Sequence, residues 1–160
     1  MGSCHDQWLA PARGRTVSGS LFGNDIERDA KDAAIVAAYE QAGRTLDDLP
    51  YTAEFERLMS IAKITDDSAE HRKVFHRLHN LRKAGKLPRL GRGGSTPPSL
   101  SFEDQQSLIG LVAAEVGSLG QRDQLPYTDG FDRVFDGFSR QTGLNLSRHD
   151  LWRVIAKLAK

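Results

Sequence analysis

Apolar residues along this chain recur at the spacing of a helix and nowhere alternate as they would in a half-buried strand. Phe55, Leu58, Met59 and Ala62 stand at i, i+3, i+4 and i+7, and Phe131, Val134, Phe135 and Phe138 repeat that stripe. Val74, Phe75, Leu78 and Leu81 form a second stripe, answered later by Leu151, Trp152, Ile155 and Leu158. Phe102, Ile109, Val112, Ala113 and Val116 mark a further apolar face. The pattern predicts an all-α fold.

Start signals agree with it. Asn24-Asp25, Ser101, Asp67-Ser68 and Ser147 offer the short polar side chains that close the first turn of a helix. Ser147 also has Asp150 three residues on, an arrangement like a capping box. The segment LPYT occurs twice, at Leu49–Thr52 and at Leu125–Thr128. Proline blocks an incoming helix, and the threonine hydroxyl is placed to cap an outgoing one. LPYT therefore reads first as a structural corner: a stop, an aromatic wedge and a cap.

The two corners belong to a longer self-similarity. A shift of 76 residues places Leu49-Pro50-Tyr51-Thr52 on Leu125-Pro126-Tyr127-Thr128, Phe55 on Phe131, Arg57 on Arg133, and Val36-Ala37-Ala38 on Val112-Ala113-Ala114. With one residue allowed, Val74-Phe75 falls on Leu151-Trp152 and Lys83 on Lys160. Repetition of this kind outranks local propensity as a guide to architecture. It predicts a tandem repeat of two similar three-helix units, 24–90 and 101–160, joined by a Gly/Ser/Pro linker at 91–100. Residues 1–23 read as a disordered lead-in. The second copy stops at Lys160, where the first continues into AGKLPRLGR, so a fragment of a longer protein stays open.

Composition excludes more than it identifies. Lys and Arg total 22 against 21 acids, a net charge of +1, so the chain is neither a bulk polycation nor an acidic tail. No apolar run reaches membrane-spanning length. The opening MGSCHDQWLAPARGR lacks the apolar core of a signal peptide, which predicts a cytoplasmic protein. Cys4 is the single cysteine, which rules out an intrachain disulfide framework and a cysteine-based zinc finger.

The even balance hides a polar layout. From Asn24 to Arg57 there are nine acids and four bases, whereas from His71 to Arg92 there are eight Lys/Arg, three His and no acid. Ser101–Gly137 has seven acids and two bases, and Ser139–Lys160 has five bases and one acid. The third helix of each unit is thus basic and the first two are acidic. Arg72, His76, His79 and Lys83 fall on one helical stripe opposite the apolar face, at about 100° per residue. Lys86, Arg89 and Arg92 prolong it, and Arg153, Lys157 and Lys160 form the counterpart in the second copy.

In helix order and charge each unit resembles the helix-turn-helix class of DNA-binding domain, although no family motif matches and the turn fits only loosely. The resemblance implies that the third helix enters a groove while nearby cations hold phosphates. The reading is DNA binding through Arg72, His76, His79, Lys83, Lys86, Arg89, Arg92, Arg153, Lys157 and Lys160, strengthened in acid as His76 and His79 gain charge. The alternative is a protein–protein adaptor in which Tyr51 and Tyr127 contact the partner. On a third account the acidic helices neutralise the basic helix of the other unit, within one chain or in a homodimer.

No enzyme is indicated. There is no phosphate-cradling GxxxxGK[ST] loop, and Ser, His and Asp in LSRHDLW lie too close on one helix to form a triad. His71, His76 and His79 invite a metal hypothesis, but Asp66, Asp67 and Glu70 are explained by capping. The expectation is no metal and no cofactor.

Overall fold

The computed structural model describes residues 23–91 and 96–160, and all regular structure among them is helical. The six α-helices are α1 (Gly23–Ala42), α2 (Ala53–Ile61), α3 (Ser68–Lys83), α4 (Phe102–Val116), α5 (Asp129–Thr142) and α6 (Arg148–Leu158). A short 3-10 helix, Leu46–Asp48, precedes α2, and another, Leu119–Gln124, precedes α5. Neither 3-10 helix was legible from periodicity, because a single turn has too few positions to show one. Apart from Gly23, the predicted lead-in lies outside the described residues, as do 92–95 of the predicted linker. No described helix is long and apolar enough to cross a membrane.

Five helix starts follow the capping chemistry, whereas α1 begins at Gly23 and takes the expected Asn24-Asp25 start into its first turn. The side chains of Thr52, Asp67, Ser101, Thr128 and Ser147 each accept a hydrogen bond from the backbone N–H three residues on, at Phe55, Glu70, Asp104, Phe131 and Asp150. Each bond satisfies a donor that has no partner within its helix. At Ser147 the hydroxyl also donates to the Asp150 carboxylate at 2.7 Å, so the pair closes through side chains.

The two LPYT corners fold alike and meet. In each, the threonine hydroxyl donates to the leucine carbonyl at 2.6 Å and accepts from the phenylalanine N–H at 3.2 Å. Tyr51 and Tyr127 both have positive φ, 62° and 60°, a region that bulky side chains avoid. What holds them there is reciprocal: the Tyr51 N–H donates to the Tyr127 hydroxyl, and the Tyr127 N–H to the Tyr51 hydroxyl, each at 2.7 Å. Their ring centroids are 4.6 Å apart, and Tyr51 also stacks on Phe131. Burial raises both phenol pKa values well above the ordinary one, so the hydroxyls stay protonated at neutral pH.

Around this seam runs one hydrophobic cluster drawing on both halves, from Ile35, Tyr39, Phe55 and Leu78 to Leu108, Phe131, Phe138 and Trp152. Side chains such as Phe55, Phe75, Phe131 and Trp152 are fully buried, each contributing roughly 1.5–3 kcal/mol of transfer free energy. α1 lies along α2, α4 lies along α5, and α6 touches both 3-10 helices. The α4 face differs from expectation. Leu108 and Val112 are its buried residues, while Phe102, the first residue of the helix, is 74% exposed.

Candidate nucleic-acid interface

α3 carries the densest basic sequence, and its neighbours sort those cations into engaged and free. Lys73 binds Glu70 at 2.6 Å. Arg77 closes a two-pronged pair with the buried Asp32 of α1, with Nε donating at 2.7 Å, and this holds the Asp32 carboxyl below its ordinary pKa. Arg82 faces Asp47 at 3.8 Å. Arg72, His76 and Lys83 remain exposed on α3, with no hydrogen bond or ion pair to any other described residue. Past the helix end Gly85, at φ 70°, provides the left-handed turn that lets the Lys86 N–H reach the Leu81 carbonyl at 2.9 Å. That turn carries Lys86 and Arg89 onward, both exposed; neither forms a close ion pair with another described residue, although Lys86 lies near enough to Asp32 to help hold its carboxyl ionised. Arg92 lies outside the described residues.

His79 departs from the expected stripe. It is only 3% exposed, packed edge-on to Phe75 at 4.6 Å and covered by the second 3-10 helix, whose Asp123 lies 3.3 Å from its Nδ1. Burial pushes its pKa down to about 4, against the pull of Asp123, so it carries no charge in the range where it was expected to assist binding. His79 lies at the edge of the stripe nearest Phe75, and a helical wheel cannot show that a distant segment covers that edge.

Of the α6 counterpart, Arg153 is turned inward, whereas Lys157 and Lys160 are exposed. Arg153 is bound to the Asp48 carboxylate, which is 2% exposed and also receives Arg44 at 3.0 Å and His149 at 3.3 Å. Lys160 pairs with Asp47 at 3.4 Å. Lys157 is exposed and forms no ion pair with another described residue. Trp152 Nε1 donates to the Asp47 carbonyl at 2.9 Å, and His149 Nδ1 donates to the Pro50 carbonyl at 2.9 Å. α6 is therefore docked by its polar side as well as its apolar one, and the unpaired basic surface belongs mainly to α3 and the segment after it.

A second cluster sits at the turn between α2 and α3. His71 is 3% exposed, stacked on Tyr127 at 4.7 Å and edge-on to Phe55 at 5.1 Å. Its Nδ1 donates to the Asp67 carbonyl at 2.7 Å, and its Nε2 faces Glu56 at 3.1 Å and Asp66 at 3.5 Å. Burial and the neighbouring Asp66 raise the Glu56 pKa. From the sequence His71 is one of three candidate histidines, Asp66 is explained as a capping residue and no metal is expected; Glu56 is missed, because it stands fifteen positions before His71 and comes near it only when the turn folds.

Comparison with protein-family models, with curated proteins and with solved structures found no match for this chain.

Proposed function

We propose that this chain is a duplicated three-helix unit, 24–90 and 101–160, that binds DNA through α3 and the basic segment after it. The observation that carries the reading is the sorting of cations on α3. Arg72, His76, Lys83 and Arg89 stay exposed with no side-chain ion pair to another described residue, and Lys86 is exposed with only a longer-range attraction to Asp32, beside three basic residues that are each matched to an acid. Cations left without an anion are available to phosphates, and release of the condensed counterions drives such binding. The order α2, turn, α3 supports a helix-turn-helix style of docking, although residues 62–67 make a longer turn than the usual three or four residues. Tyr51 and Tyr127 spend their hydroxyls and part of their ring faces on each other, which favours the DNA reading over an adaptor that presents them to a partner.

The test is fluorescence anisotropy of a labelled 25-base-pair duplex at two salt concentrations. Four phosphate contacts, from Arg72, Lys83, Lys86 and Arg89, predict a weakening of about 150-fold between 50 and 200 mM salt. The double substitution Arg72→Glu with Lys83→Glu should abolish binding while leaving helical content unchanged, and Lys157→Glu should weaken it far less. Absence of binding at 50 mM salt, or a double variant that binds like the parent, overturns the reading.

A further inference from the structure

We propose that Glu56, Asp66 and His71 form a divalent transition-metal site, with zinc as the fitting ion, clipping α2 to the turn that leads into α3. His71 is buried and held on both sides by rings, and its Nδ1 proton is committed to the Asp67 carbonyl at 2.7 Å. In the neutral ring Nε2 then presents only a lone pair. The atoms it faces, Glu56 Oε2 at 3.1 Å and Asp66 Oδ1 at 3.5 Å, are carboxylate oxygens that likewise present lone pairs. Nε2 thus lies within reach of two carboxylate oxygens, and a cation would join all three atoms at once in place of a bridging proton.

The donor set and geometry suit such an ion. One imidazole nitrogen and two carboxylate oxygens are ordinary zinc ligands, and a histidine whose other nitrogen donates to a backbone carbonyl is held in the ligating tautomer. The three ligand atoms lie within 4.8 Å of one another. A tetrahedral ion with bonds near 2.0–2.1 Å requires separations of roughly 3.4 Å. Both carboxylates are exposed and free to close that gap, whereas the buried imidazole supplies the fixed point. The outward side stays open, leaving the fourth position to water. The site joins three segments: α2 through Glu56, the turn through Asp66 and the start of α3 through His71. Tyr127, stacked on His71, places it against the seam between the halves.

The competing account is an imidazolium shared by two carboxylates, and it predicts that metal changes nothing. The experiment uses the full chain, stripped by chelation, with zinc chloride titrated at pH 7.5 by calorimetry and thermal unfolding. The expected result is one equivalent bound and a Tm rise of roughly 5–10 °C at a hundredfold excess over Kd. Cobalt substituted at the site should show the visible absorption of a four-coordinate ion. Asp66→Asn, at an exposed position, and Glu56→Gln should each weaken binding by at least about 100-fold without unfolding the protein. No heat and no Tm shift with zinc overturn the proposal. So does binding that survives both substitutions, because it would then belong to His76 or to Cys4 and His5. His71→Gln is the less informative variant, since its ring is also part of the core.

Discussion

At the scale of single residues, His79 shows most directly how burial decides chemistry. Its neutral form is required in the folded state, with a pKa near 4, while the unfolded chain returns it to about 6.5. The folded value is the depressed one, so protons bind the unfolded chain preferentially, and the stability tied to His79 is present above pH 6.5 and lost as pH falls toward 4. Urea unfolding of the parent should therefore lose about 2–3 kcal/mol between pH 7 and 4.5 from this residue alone. His79→Gln, which cannot take up a proton, isolates that loss: the stability gap between parent and variant should narrow over the same interval. A gap that stays constant would mean His79 is solvated. Position 79 looked like part of a basic stripe in the sequence, because spacing reports angle around a helix and not what covers the angle. The caps were different. Thr52, Asp67, Ser101, Thr128 and Ser147 act within three residues of themselves, so local sequence was sufficient to place them.

At the scale of elements, the same contrast separates α3 from α6. Their apolar stripes were both readable, and Leu151, Trp152 and Ile155 are buried as Val74, Phe75 and Leu78 are. Their charged faces look equivalent in sequence but end differently: α6 docks Arg153 onto the acidic 3-10 helix of the first half, whereas α3 leaves Arg72, His76 and Lys83 in solvent while His79, Arg77 and Arg82 are engaged. Asp48 is the centre of that docking, accepting from Arg44 and Arg153 with His149 beside it. Removing one member of a buried ionic group leaves the others desolvated without an anion, which costs more than the intact group contributes. Asp48→Ala should accordingly destabilise the protein by about 3–5 kcal/mol in urea titrations. Replacing both Asp48 and Arg153 with Leu should recover part of that loss, because the arginine is no longer stranded. If the double variant is no better than Asp48→Ala, the group contributes shape and not charge compensation.

At the scale of the molecule, the question is whether the two halves, each with its LPYT corner, behave as two bodies or one. The repeat in the sequence predicts matching parts but is silent on how they join. The joining contacts are contributed from both sides: reciprocal bonds between Tyr51 and Tyr127, Trp152 to the Asp47 carbonyl, and the ring of Phe75 5.9 Å from that of Trp152. A core shared in this way cannot lose one half and keep the other half's surface satisfied, which implies one cooperative transition. Trp152 serves as the reporter, since its indole lies in the second half while its hydrogen-bond acceptor and its edge-on ring partner Phe75 lie in the first. In a Trp8→Phe background its fluorescence should trace the same urea transition as the helical circular dichroism. Tyr51→Phe then provides the test of coupling. It removes one hydroxyl acceptor and leaves the Tyr127 N–H at the seam without its bond, a loss of about 1–3 kcal/mol. Both probes should shift to lower urea by the same amount, although the substitution is in the first half and the indole in the second. Two separated transitions, or a shift in circular dichroism that fluorescence does not follow, would mean the halves unfold independently. The seam would then be a contact between neighbours and not the middle of a single core.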